Sequence, residues 1–196
     1  MRRSVWIVCL MVISALGASA WSAASGDPTT DVTARRTAWR ADWREVCLEP
    51  SSAWNAPPRR TLEGPPSEVA RLVRTVASEP KIGAPLVEAA GAGGIAICLV
   101  APPYGAGAVY DTSMKLILLS NELPFWSQTI VLAHELRHAQ VSSWGMAGAR
   151  PNSLEAAVRW NLALEADAHS VAVLYAWSAK DAGKCAIWEA ALALQD

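Results

Sequence analysis

The chain has 196 residues, 52% of them hydrophobic and 18% charged, with a formal net charge of −1. That length can bury one sizeable core, and so balanced a charge provides no basic field to hold a nucleic acid.

Arg2 and Arg3 precede an apolar run over residues 5–16 that is too short to span a bilayer, and Ala18-Ser19-Ala20 has the small residues of a cleavage site. A secretory signal peptide is therefore expected over residues 1–20, cut after Ala20 with Ala24 as a second position. The apolar run carries no Leu-x-Gly-Cys that would argue for a lipid anchor. The mature protein would be periplasmic or secreted and without a stable membrane span, and loss of the two arginines takes the charge from −1 to −3. Of the four cysteines, Cys9 leaves with the leader, so Cys47, Cys98 and Cys185 remain in an oxidising space and at most one internal disulfide can form. A Cys47–Cys185 pair would join the N-terminal segment to the C-terminal tail and leave Cys98 as a buried thiol, but the sequence does not choose the pair.

Residues 21–66 form the next section. Over 31–47 the pattern predicts an amphipathic helix with Trp39 and Trp43 one turn apart and Arg36, Arg40 and Arg44 beside them. A solvated Arg face over a packed Trp face is the first reading of this helix; because the Pro-rich stretch 50–66 that follows reads as a linker or irregular wrap, a prosegment or partner-binding arm is the alternative. The main domain is expected over 67–196. It begins with helices at 67–78 and 84–90. A buried strand follows at 94–101, then a second apolar stretch at 108–119 with a turn near Asp111-Thr112-Ser113. Two long helices come next, one from an N-cap at Ser127 to a stop at Gly145, the other from Asn152-Ser153-Leu154-Glu155, which has the form of a capping box, to about Lys180. A short helix at 184–194 closes the chain.

The first long helix carries His134-Glu135-Leu136-Arg137-His138. Residues at i and i+4 share a helix face, so both imidazoles can reach one metal ion, while Glu135 lies about 100° round the barrel and can touch a metal-bound water without being a ligand. Leu132, Leu136 and Ala139 are expected to face the core, with Val131, His134, Glu135 and His138 looking the other way. On the second helix stands Glu165. A connection containing Gly145, Gly148 and Pro151 lets that helix fold back on the first and bring Glu165 opposite the histidines, giving two His and one Glu for Zn²⁺ with Glu135 as general base. Ala166 and Ala168 would let the two helices approach closely.

A helix with His-Glu-x-x-His followed by a Glu on the next helix resembles the gluzincin clan of zinc metallopeptidases. Glu165 to Ala168 is similar to the Glu-x-x-Ala of small, minimal gluzincins, and His-Glu-Leu-Arg-His resembles a group of bacterial metallopeptidases of unknown function. The resemblance covers roughly residues 67–180. It implies an α+β, zincin-like fold, with a small mixed sheet packed on the active-site helix and a second long helix. It also implies zinc held by His134, His138 and Glu165, Glu135 as base, a peptide or protein substrate, and a strand edge beside the metal that pairs with that substrate. The chain departs from the larger gluzincins, which place an acidic residue four positions after the Glu ligand. Here that residue is His169, read as a surface or supporting group, while Asp167 should point to another face and Arg137 should be a surface contact. For stabilising an oxyanion, Tyr104, Tyr110, Arg137 and His169 are the candidates. Two other readings stay open. One is an amidohydrolase of the deformylase type with Cys98 as third ligand; the other is a non-catalytic exported protein in which the metal is a structural staple.

Overall fold

Ala96-Ile97-Cys98-Leu99-Val100 carries no charge, and its first four residues are buried, as a strand covered on both faces requires. The computed structural model describes residues 47–48, 65–101, 106–146 and 151–194. In chain order these form β1 (Cys47–Leu48), α1 (Pro65–Ala77), α2 (Gly83–Gly93), β2 (Ala96–Val100), β3 (Ala108–Asp111), β4 (Leu116–Ser120), α3 (Phe125–Ser143), α4 (Leu154–Asp181) and α5 (Cys185–Ala193). The fold is α+β, as expected. Residues 1–46, including the leader and most of the Trp39/Trp43 helix, lie outside the described residues, as do most of the Pro-rich stretch and Gly148. At the end of that expected helix Cys47 belongs instead to β1.

The sheet runs β1-β2-β4-β3, with β2 and β4 parallel and both outer pairs antiparallel. Side chains alternate across it. Ile97, Leu99, Ile117 and Leu119 face the five helices and share one core with them, whereas Ala96, Cys98 and Leu116 join Cys47 in a smaller cluster on the other face. Cys47 and Cys98 are register partners across β1 and β2 and form a disulfide, which leaves Cys185 free and exposed. Cys98 is therefore not a buried thiol: β1, too short to announce itself in the sequence, sets a partner beside it. Among the described residues no helix is long and apolar enough to cross a membrane.

One buried carboxylate joins three helices. Glu79, in the turn between α1 and α2, accepts hydrogen bonds from the amides of Lys81 (3.0 Å), Ile82 (2.7 Å) and Gly83 (2.9 Å), which caps α2, and from Ser178 Oγ on α4 (2.7 Å). Burial alone would raise its pKa. The bonds from Gly83, Ser178, Ile82 and Lys81 outweigh burial and hold the carboxyl below its ordinary 4.5. Close by, α2 starts so near the last turn of α1 that a Cβ on Gly83 would lie 2.0 Å from the Val76 oxygen and 3.0 Å from the Tyr175 ring.

Glu79→Gln places an amide donor against N–H groups that need an acceptor, and should cost about 1–3 kcal/mol at pH 7. Because the folded carboxyl titrates below the unfolded one, that contribution is present above about pH 4.5 and is lost as the pH falls through the folded value. Urea unfolding of both proteins at pH 7 and pH 4 should show the gap narrowing in acid, and an equal gap at both would contradict this role. Gly83→Ala should lower stability by about 1–3 kcal/mol in the same assay, through the shift it forces on Val76 or Tyr175.

Candidate metal centre

Helix α3 begins three residues earlier than its sequence suggests. Pro124 is its N-cap residue, and Ser127, the expected cap, is buried in the first turn. Proline at φ −57° presets the entry without a side-chain acceptor. Gln128 then donates from Nε2 to the Ser120 carbonyl at 3.0 Å, fastening the helix to the end of β4. The helix stops at Ser143, and Gly145 takes the left-handed conformation, φ +76°, that a chain turning out of a helix commonly needs. The cap of α4 is Ser153, whose Oγ accepts from Ala156 N at 3.1 Å. The capping box written at Asn152 is thus displaced by one residue, and Glu155 pairs with Arg159 at 2.6 Å instead of turning back.

Leu132, Leu136 and Ala139 face the core as expected. His134 and His138 lie on the half-exposed side. Glu135, expected to look away from the core, is only 7% exposed, because edge strand β3 covers it and the Tyr110 amide hydrogen-bonds to its carboxylate. On α4, Ala168, Ala172 and Ala176 repeat every four residues and are buried, while Ala166 is exposed and takes no part in the approach. Glu165 stands one turn before Ala168, where the close contact begins.

The expected ligands meet. His134 Nε2 and His138 Nε2 are 3.0 Å apart, with Glu165 Oε2 3.3 Å from the first and Oε1 3.4 Å from the second. Their donor atoms form the one such group among the described residues. Metal bonds of 2.0–2.1 Å at tetrahedral angles put ligand atoms about 3.3 Å apart, and the contacts of 3.0–3.4 Å are of that size, each imidazole meeting a different oxygen of Glu165. The donor set suits a divalent cation. Hydrogen bonds from His134 and His138 hold Glu165 far below the usual carboxylate range, so it is ionised at neutral pH. Burial lowers the pKa of His138, but its bond to Glu165 and the charge of Glu135 outweigh burial and raise it. Glu135 is pushed upward by burial, against the pull of the two imidazoles.

The other named residues separate clearly. His169 is exposed and outside the group. The Tyr110 ring packs against the main core, and Tyr104 lies outside the described residues. Cys98 is in the disulfide and not among the clustered donors, so the deformylase reading loses its third ligand. Arg137 is not a loose surface contact. It grips Asp167 with Nε at 2.6 Å and Nη2 at 3.0 Å, and donates from Nη1 to Gln140 at 2.6 Å. The sequence carried one signal for that pair: Asp167 and Glu165 fall on opposite sides of Ala168 when α4 is viewed down its axis.

No curated protein and no solved structure matches this chain. Residues 34–196 match the model of one family and take in every residue of the site, so the chain belongs to the family described as "Putative metallopeptidase family (DUF6782)".

Proposed function

We propose that this protein is an exported, zincin-like zinc peptidase in which His134, His138 and Glu165 hold the metal and Glu135 is the general base. The observation that carries the reading is the convergence of two imidazole nitrogens and a carboxylate at 3.0–3.4 Å, with a second, buried carboxylate beside them. Membership of a metallopeptidase family implies a peptide or protein substrate.

Held by His134, His138 and Glu165, zinc would polarise a carbonyl and bring the pKa of a water to about 7. The chain supplies the rest. Glu135 takes the proton of the attacking water and can return it to the leaving amine. Its burial makes it a better base than a solvated carboxylate, and the Tyr110 amide fixes its direction. Among the described residues strand β3 is at the edge of the sheet. Ser120 N–H donates to Gly107 at 2.9 Å, so alternation turns the main-chain groups of Ala108 and Tyr110 away from β4; the Tyr110 N–H goes to Glu135, and Ala108 lies on the side where an extended peptide would pair. Export is supported by the leader-like residues 1–20 and is in keeping with the Cys47–Cys98 disulfide. A structural staple normally closes four ligands, and the described residues offer three.

Elemental analysis of wild type, His138→Ala, Glu165→Ala and Glu135→Gln, with cleavage of a peptide library on the same samples, tests the assignment. The first two variants should lose the metal. Glu135→Gln should keep it while cleavage falls by about 10²–10⁴-fold. Metal retained by Glu165→Ala would remove both the ligand set and the family-based mechanism. In the wild type, zinc at 100 times its Kd should raise stability by about 2.7 kcal/mol, and an unmoved melting curve would speak against a site formed only in the folded chain.

A further inference from the structure

Beside the three donors lies a second polar contact between the same two helices, with which the proposed chemistry has no direct business. Arg137 and Asp167 form a two-pronged pair whose side chains are 19% and 40% exposed. The third arm of the guanidinium is taken by Gln140, and its face lies 4.9 Å from the centre of the Trp144 ring. Each of the three guanidinium nitrogens of Arg137 thus has a partner within the molecule, and one face of the group has a ring beside it.

The placement of this pair is informative. At about 100° per residue, Glu165 and Asp167 stand on opposite flanks of Ala168 round α4, and His138 and Arg137 on opposite flanks of Val141 round α3. Ala168 and Val141 are both buried. The helices thus touch along an apolar seam with a polar clamp on each side, imidazoles to Glu165 on one and guanidinium to Asp167 on the other. Small, smooth residues along such a seam resist separation but not rolling. A carboxylate lies about 5–6 Å from its helix axis, so a roll of about 10° moves it by about 1 Å. Metal–ligand distances tolerate only about 0.2 Å.

We infer that the Arg137–Asp167 pair is a positioning device that fixes the roll of α4 on α3 and so presents Glu165 to His134 and His138 in metal-binding geometry. The inference rests on the proposed metal site and adds to it two residues that touch neither metal nor substrate. Asp167 lies near enough to His138 for each to act on the other's charge, so the clamp also places a negative group beside a ligand ring. Lysine cannot replace Arg137, since an ammonium lacks the planar fork that sets an angle as well as a distance.

The experiment is zinc affinity by chelator competition on the full chain, with the absorption bands of the cobalt(II)-loaded protein and the melting temperature of the metal-free protein measured alongside. The variants are Arg137→Met, Arg137→Lys, the near-isosteric Asp167→Asn, and the double variant Arg137→Met/Asp167→Asn. Each single change should weaken zinc by about 10–100-fold and reduce or shift the cobalt bands. The double variant should be no worse than the worse single one, because both remove the same clamp. The metal-free melting temperature should move far less than the affinity. Variants that melt earlier yet hold zinc and cobalt as wild type does would overturn the inference and leave the pair a structural contact only. Losses that add in the double variant would overturn it too. Wild-type protein that binds no zinc would instead sink the metal site itself, a failure that can be told apart from the others.

Discussion

The site depends on how closely α4 can lie against α3. A carboxylate side chain is short, and for Glu165 to stand within 3.4 Å of imidazoles from another helix the two backbones must approach with little between them. Ala168, Ala172 and Ala176 allow that approach, and on the far side Leu132, Leu136 and Ala139 anchor α3 in the common core. Large residues at the alanine positions would fill volume well and still separate the donors. The seam therefore gives up apolar contact area for proximity, which in an otherwise well-filled core is the mark of a geometric requirement.

The same constraint explains why the far half of α4 is so firmly attached. Tyr175 is buried whole, Ser178 reaches Glu79, and Lys184, just beyond the helix, donates to Ser78 Oγ at 2.6 Å. These contacts bind α4 to α1 and to the turn that follows it. A long helix held at one end and along one stripe carries its remaining residues as a lever, and the position of Glu165 is then set by the stiffness of the helix between Ala168 and Ser178. The ligand is placed from both directions, by its neighbours on α3 and by an anchorage about four turns away.

Much of this was legible in the sequence because it is local. The spacing of His134, Glu135 and His138 on one helix, the length of the second helix and the strand–turn–strand at 108–120 all follow from short-range periodicity and turn chemistry. What stayed hidden is what depends on distant partners. Nothing near Cys47 reveals a two-residue strand that pairs with β2, so the disulfide could not be chosen among three cysteines. Glu135 looked exposed from its place on the helix, and only the covering strand buries it. Arg137 looked like a surface contact and Asp167 like a residue of another face for a related reason: that they pair appears only when the mutual rotation of two helices is known. Ser127 misled for a different cause, since the helix is entered three residues earlier, at Pro124, and Ser127 falls inside its first turn.

The uneven anchoring of α4 has a dynamic consequence. From Leu154 to Leu164 its side chains are exposed or only half-covered, with Leu154 at 83% and Leu162 at 57%, whereas beyond Ala168 the inner face is sealed. Amide exchange along this helix should accordingly form a gradient, fast over the first turns and slow past the seam, because local opening is cheapest where least surface is lost. Glu165 stands at the border. A cation held there would act as a rivet at the point where fraying meets the fixed part of the helix, so that its arrival and departure would be felt upstream as a change in how often the first three turns of α4 come undone.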